Sequence, residues 1–332
     1  MITCAIVGAT GLVGSTFLKV LEEKKLNIDE YYLFASSKSK GKKITFMDKE
    51  YIVEELTEEV PTREFTYALF SAGSTISDKY AKKFTKYGTI VIDNSSRFRM
   101  DDDVPLVVPE VNIKEAYDKL LIANPNCSTI QAVVALKPLH TQYSIRRIIY
   151  STYQAVSGAG VNGINDLIET SLGHEPTKFP YKIYNNCIPH IDVFLDNGYT
   201  KEEEKMINET KKILNDYSID ITATCVRVPI FNSHAESINV EFKNEFDIDN
   251  LKQLLANSPG IALMDDIKNN IYPLNTFATN KDEVFVGRIR KDFSLKNSLN
   301  MWVVADNVRK GAASNAVQIL EKLIEKNNTN IV

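Results

Sequence analysis

Three patterns predict an α/β chain, with a Rossmann-type doubly wound nucleotide domain followed by an α+β catalytic and dimerisation domain. An apolar strand runs straight into a glycine turn and a helix at the N-terminus. Strands and helices alternate up to residue 127. Longer β-rich segments then occupy residues 148–304, closed by one amphipathic helix. The 332 residues are enough for two cores, and the expected division is 1–127 with 306–332 against 128–305, joined at two crossings. A hydrophobic share of 44% and a charged share of 25% fit an ordinary globular chain. The net charge of -4 speaks against nucleic-acid or membrane-surface partners, and no apolar run is long enough to span a bilayer. Cys4, Cys127, Cys187 and Cys225 lie far apart without CxxC spacing, and no signal peptide is expected. They read as reduced thiols in a cytoplasmic protein, and no metal site is expected.

Taken in order, residues 2–7 form the first strand, and Gly8-Ala9-Thr10-Gly11-Leu12-Val13-Gly14 follows at once. Val13, Phe17, Leu18 and Leu21 then recur at helical spacing. Gly8 and Gly11 let the backbone turn and approach a pyrophosphate at the helix N-terminus, and Gly14 lets helix and strand pack closely. Thr10, Leu12 and Val13 line the same turn. The spacing is GxxGxxG rather than GxGxxG. The next strand, 31–35, leads into Ser36-Ser37-Lys38-Ser39-Lys40, with hydroxyls and cations where an NAD site usually carries an acid. Asp29 and Glu30 lie at the wrong end of that strand. The loop suits a 2′-phosphate, so NADP is the expected cofactor.

Residues 67–71 form a strand ending in Ser71-Ala72-Gly73, a second small-residue loop of the kind that edges a ligand crevice. A helix over 78–87 and a strand over 89–92 lead to Arg97 and Arg99 in a polar loop, either of which can clamp an anion. The strand 120–123 ends at Asn124-Pro125-Asn126, a turn signal because Pro125 fixes its own φ and restricts Asn124. Cys127 follows, ahead of Ile130, Val133, Val134 and Leu136 at helical spacing. A cysteine at a helix N-terminus is favoured as a thiolate and has N–H groups at hand for an oxyanion. Buried filler is the alternative use of such a residue.

In the second half, a β segment over 148–153 runs into Gln154-Ala155-Val156-Ser157-Gly158, whose small residues admit a ligand or another backbone. Residues 184–198 read as a loop in which His190 is structural. Thr200 reads as the N-cap of an acidic helix that places Glu202 and Lys205 on one face. A strand over 219–228 carries Arg227, suited to gripping a carboxylate, and His234 follows as a candidate proton shuttle. An amphipathic segment over 247–256 and strands over 284–289 and 301–304 complete an antiparallel sheet suited to dimer formation. Val308, Ala312, Ala316, Ile319, Leu320 and Leu323 trace one face of the final helix.

GATGLVG, FSAG at 70–73, DNSSRFRM at 93–100, PLVVPEVN at 105–112 and NPNCST at 124–129 together resemble the aspartate-β-semialdehyde dehydrogenase family. TYQAVSGAG, IPHID, GYTKEEEKM, RVPIFNSHAES and DNVRKGAASNAVQI extend the likeness over nearly the whole chain. One departure is Arg97, where a small residue is common. The resemblance implies NADP-dependent reductive dephosphorylation of L-aspartyl 4-phosphate to aspartate semialdehyde and phosphate, in biosynthesis of lysine, threonine, methionine and isoleucine. It implies Cys127 as nucleophile, Gln154 as the group orienting the acyl carbon and His234 as acid/base. Substrate contacts would come from Arg99, Asn126, Glu202 (to the ammonium), Lys205 (to phosphate) and Arg227. Ser157, Gly158 and Asn307 would lie by the nicotinamide, the last helix would pack on the nucleotide domain, and the chain would form a homodimer or homotetramer. An N-acetyl-γ-glutamyl-phosphate reductase shares the glycine loop and the thioester logic. A non-catalytic nucleotide sensor could keep the fold alone.

Overall fold

The computed structural model describes residues 1–329, which form two compact units. The first comprises Met1–Pro125 with the chain from Ala312 onward. Its strands are β1 (Thr3–Val7), β2 (Glu30–Ala35), β3 (Lys43–Phe46), β4 (Lys49–Ile52), β5 (Glu54–Glu55), β6 (Tyr67–Phe70), β7 (Ile90–Asp93) and β8 (Leu121–Ala123). Six of them build a parallel sheet in the order β5-β2-β1-β6-β7-β8. Cys4, Ala5, Ile6 and Val7 are all buried, as expected of a central parallel strand covered on both faces. The strand order reverses between β1 and β6, so a crevice opens at their carboxyl ends.

Helix α1 (Leu12–Lys24) leaves the first strand through the glycine turn and stops at Lys25, whose left-handed backbone returns its N–H to Leu21. Helix α2 (Ser74–Lys86) starts four residues ahead of the expected 78–87. Gly73 takes the N-cap at φ +87, and the Ser77 hydroxyl donates to Asp93 at 2.7 Å, a tertiary contact that draws a weak helix former into the first turn. The β3–β4 hairpin, for which no expectation was formed, turns through Met47 and Asp48, both at positive φ. After α3 (Pro109–Asn112), the chain returns to this unit in α9 (Ser314–Thr329). Ala313, Ala316, Val317, Ile319, Leu320 and Leu323 join the core formed by Ile6, Phe17, Leu21 and Leu33, so the final helix does pack on the nucleotide unit. It is entered through a π turn, Arg309–Ala313, where one continuous α-helix was expected.

The second unit is Asn126–Gly311. Its sheet, β10-β9-β11-β14-β13-β12, is built from β9 (Ile145–Gln154), β10 (Asp220–Arg227), β11 (His234–Phe242), β12 (Ile261–Leu263), β13 (Val284–Lys291) and β14 (Ser298–Ala305). The expected antiparallel sheet is instead mixed. The inner pairs are antiparallel, but β10 runs parallel to β9 and β12 parallel to β13. The chain from β9 to β10 includes α5 (Gly160–Ser171) and α6 (Lys201–Leu214), long enough for the crossover that a parallel pair needs. Helices α4 (Cys127–Tyr143), α6, α7 (Ile248–Ala256) and the short α8 (Asn275–Ala278) pack on the sheet. Tyr153 and Trp302, with ring centroids 5.4 Å apart, remain exposed and half-buried respectively. Among the described residues, no helix is long and apolar enough to cross a membrane.

Candidate active site

In the first unit the crevice is shaped by the absence of side chains. Gly8 sits at φ +90 and donates its N–H to Phe34 O at 2.8 Å. A Cβ there would come within 2.9 Å of the Ser71 carbonyl carbon and 3.0 Å of the Ala72 nitrogen. The two small-residue loops therefore meet backbone to backbone. A Cβ on Gly14 would lie 2.0 Å from Gly8 O, which fixes how closely α1 rides on the turn. This cradle fits a pyrophosphate at the N-terminus of α1.

Beyond β2, Ser36, Ser37 and Lys38 are exposed, and Ser39 receives a hydrogen bond from Thr10 at 3.3 Å. Asp29 and Glu30 stay at the other end of the strand, tied to Ile2 N and the Tyr32 hydroxyl. Glu54 and Glu55 on the adjoining strand are paired with Arg63 and Lys40. The rim near Lys38 is thus cationic and hydroxylated. Of the two loop arginines, Arg97 is committed to Asp78 and Asp101, whereas buried Arg99 donates to Asn124 O at 2.9 Å and Asn94 O at 3.0 Å. Arg99 therefore lies under the turn leading to Cys127.

The second unit gathers side chains. Cys127 is the first residue of α4 and is half-buried. Asn126 caps the helix, accepting from Ser128 N at 3.0 Å and Thr129 N at 3.3 Å, an arrangement typically worth about 1 kcal/mol. A Cβ on Gly311 would lie 2.9 Å from the Cys127 Cβ, so the backbone of the π turn presses directly on the cysteine. Asn126 is itself held by two carboxylates of α6. Its N–H donates to Glu209 at 2.6 Å and its side-chain amide to Glu202 Oε1 at 2.9 Å.

Glu202 Oε1 also accepts from Gln154 Nε2 at 3.1 Å, and Lys205 donates to Oε2 at 3.0 Å. Burial alone would raise this carboxyl, but the Lys205 charge and the three hydrogen bonds outweigh it and hold it at about 2. An ionised carboxylate offers about four acceptor sites, of which these three hydrogen bonds use all but one. Burial would depress Lys205, but Glu202 and Asp192, the latter at 2.7 Å, keep it charged. Thr200 caps α6 in a reciprocal box with Glu203, as expected.

Gln154 is oriented from both ends, since its Oε1 accepts from the Thr152 hydroxyl at 3.0 Å. His234 is completely buried, and its Nδ1 accepts the Ala155 N–H at 2.9 Å. Burial, and then the Arg227 charge, push its imidazole down to about 3, so the ring is neutral with its proton on Nε2. That nitrogen lies 3.5 Å from Gln154 Nε2. The Gln154 amide and the His234 imidazole are thus neighbours in one buried pocket. Arg227 donates to Ala155 O at 2.7 Å, with Phe179 5.9 Å beyond its guanidinium. A Cβ on Gly158 would meet Arg227 Nη1 at 2.8 Å and the His234 ring at 3.2 Å. Ser157 and Asn307 bond each other, and Asn307 also receives Ser233 N–H. His190 stacks on Phe194 at 4.2 Å, in keeping with a structural role.

Two family models match the chain: the semialdehyde dehydrogenase NAD binding domain over residues 3–119 and the semialdehyde dehydrogenase dimerisation domain over residues 136–310. An aspartate-semialdehyde dehydrogenase of Aquifex aeolicus is 53% identical, the match covering 97% of this chain and 98% of that one. The chain belongs to the aspartate-semialdehyde dehydrogenase family. An aspartate-semialdehyde dehydrogenase of Bacillus subtilis is 46% identical, the match covering 97% of each chain. A crystal structure of aspartate semialdehyde dehydrogenase II from Vibrio cholerae superposes with a TM-score of 0.93 at 48% identity, covering 97% of this chain and 98% of that one. Members of this family are oxidoreductases acting on an aldehyde, in amino-acid biosynthesis, and this chain is one of them.

Of the residues singled out from the sequence, Cys127, Gln154, Glu202, Lys205, Arg227 and His234 lie in one hydrogen-bonded and electrostatic neighbourhood of the second unit. The sequence did not single out Glu209 and Gly311, whose contacts depend on residues far away in the chain, or Asp192 and Thr152, whose partners lie 13 and 2 positions away. The signal for Glu209 was its place seven residues after Glu202, on the same face of α6.

Proposed function

We propose that this protein reduces L-aspartyl 4-phosphate to L-aspartate 4-semialdehyde and phosphate with NADPH, through a thioester on Cys127. The observation that carries this reading is Cys127 at the N-terminus of α4, next to the hydrogen-bonded network of Asn126, Glu202, Gln154 and His234. Unpaired N–H groups at a helix start favour a thiolate and a developing acyl oxyanion. The Cys127 thiolate attacks the acyl carbon, the oxyanion settles among these N–H donors, and phosphate leaves. Dividing one hard displacement into two easier ones is the gain from the covalent intermediate. Arg99 and Lys205 are proposed to hold the phosphate, Arg227 the α-carboxylate, and Glu202 and Asn126 the amino-acid end. When bound, the nicotinamide cofactor supplies the hydride that brings the acyl carbon to the aldehyde level. His234 then hydrogen-bonds the resulting alkoxide until Cys127 departs as the leaving group.

The Gly8–Ser71 cradle supports a dinucleotide, with Thr10, Gly11, Leu12, Val13, Ala72 and Gly73 around it. Exposed Ser36, Ser37 and Lys38 support NADP over NAD. Ser157, Gly158 and Asn307 are proposed to flank the nicotinamide. An available solved structure with NADP, from Candida albicans, shares the fold at a TM-score of 0.77 and 26% identity. Another, from Vibrio cholerae, is complexed with ASA. The match to a dimerisation domain and the aromatic pair Tyr153–Trp302 support a homodimer. Four free cysteines support a reducing, cytoplasmic setting.

The test is the reverse reaction, phosphate-dependent reduction of NADP by aspartate semialdehyde. Cys127→Ala abolishes it and leaves NADP binding intact, while unimpaired turnover by the variant would overturn the mechanism. Running the wild type with NADP and NAD, and with N-acetylglutamate semialdehyde beside the aspartyl substrate, decides cofactor and substrate together.

A further inference from the structure

Glu236 is a buried carboxyl that the reaction above does not use. It follows His234 by two positions on β11, so both side chains leave the same face of the sheet. Glu236 is completely buried, and among the described residues neither carboxyl oxygen has a hydrogen-bond partner. Helix α4 covers this face. Its Gln131, one turn beyond Cys127 and also fully buried, donates Nε2 to His234 O at 3.3 Å and Val303 O at 3.5 Å. Val303 is the cross-strand neighbour of Glu236, so the Gln131 amide sits beside Glu236. Gln131 Oε1 is likewise without a partner.

Three buried acceptors side by side are costly to leave unpaired. A single proton on the carboxyl changes the count, because it turns one of those acceptors into a donor. The surroundings favour that proton. Around Glu236 stand Tyr150 and Thr152 on β9, Cys225 on β10, Gln131 on α4, and Val303 on β14. Burial pushes the Tyr150 hydroxyl and the Cys225 thiol up, so both are neutral. From α6 the charges facing Cys225 are Glu202 and Glu203, both acids. Burial pushes Glu236 well above the carboxylate range.

We propose that Glu236 is a positioning residue held as a neutral carboxylic acid, whose O–H donates to Gln131 Oε1. The bond fastens the first turns of α4, which begin with Cys127, to β11 at the backbone of His234. Nucleophile and oxyanion donor are thereby kept in register. The proposal rests on the catalytic reading above for its consequence, but not for its first readout.

That readout is the infrared difference spectrum of wild type against Glu236→Gln at neutral pH. A carboxylic-acid carbonyl band present only in the wild type is expected; carboxylate bands in its place would overturn the proposal. Stability supplies a second test. The folded state keeps a proton that the unfolded chain releases above the ordinary carboxylate range, so the wild type loses stability relative to Glu236→Gln as pH rises from about 5 to about 8. A difference in melting temperature that stays flat across that range would overturn it. In turnover, Glu236→Gln retains an N–H donor and keeps kcat within about twofold. Glu236→Leu leaves Gln131 unpaired and lowers kcat about tenfold with KM for aspartate semialdehyde nearly unchanged. Equal losses in the two variants, or none in the leucine variant, would sink the positioning role. Neither spectrum nor melting depends on turnover, so failure here is distinct from failure of the thioester mechanism, which Cys127→Ala tests.

Discussion

The two units prepare for ligands in opposite ways. The nucleotide crevice is made by leaving side chains out. At Gly8 and Gly14 a single extra carbon would collide with backbone. The cysteine site is made by over-supplying partners, with one carboxylate, Glu202, holding Asn126, Gln154 and Lys205 at once. The first device gives a long, backbone-lined cofactor room to approach. The second pins a few atoms where charge develops. Damage to either should therefore look different.

The largest effect is expected at Gly8. In Gly8→Ala the new Cβ meets Ser71 and Ala72 at a backbone angle alanine rarely adopts, costing about 1–3 kcal/mol or more. NADP affinity should fall at least about tenfold by calorimetry, with the rate of Cys127 alkylation unchanged. A variant that binds NADP normally would break the contrast. Glu209→Ala should do the reverse. Removing the acceptor for Asn126 N–H frees the residue ahead of the nucleophile, and kcat should drop about 10- to 100-fold with NADP binding intact. Glu209→Gln, which keeps an acceptor oxygen, should recover most of that loss.

A smaller effect concerns pH. His234 is held neutral well below its ordinary range, so the free enzyme should show no change in kcat/KM near pH 6.5. The stability linkage runs the same way. An unfolded histidine takes up a proton below about pH 6.5 that the folded one refuses down to about 3, so stability falls with pH across that window. An acid limb at about 6.5 that vanishes in His234→Asn would undo the neutral-donor assignment. The smallest effect is expected from Asp192→Asn. It relieves Lys205 of one of two anionic partners, and KM for phosphate should fall about two- to fivefold. A rise would show that Asp192 positions Lys205 rather than competing for it.

The same contrast explains what could be read from the chain alone. Gly11 donates its N–H to Gly8 O and Gly14 packs on the same carbonyl, and such short spacing is visible in sequence, whereas the approach of Ser71 and Ala72 to Gly8 is not. The Thr200–Glu203 box is local too. Asn126 finds Glu202 and Glu209 at separations of 76 and 83 residues, and no local pattern encodes that meeting. The family resemblance supplied Glu202 because a motif carried it, while Glu209 and Asp192 went unnoticed. The mixed sheet was misread for a related reason. Alternating polarity tells which face of a strand is buried, whereas parallel or antiparallel pairing depends on the path the chain takes between strands.

Because Asn126 and Gln154 share one oxygen of Glu202, they are not separate parts that can be exchanged one at a time. Each is braced by the anion that braces the other, so replacing either should shift its counterpart, and paired substitutions should cost less than the sum of the single ones. Adapting this scaffold to a longer acyl phosphate would mean rebuilding the bracing carboxylate and its dependants as a set.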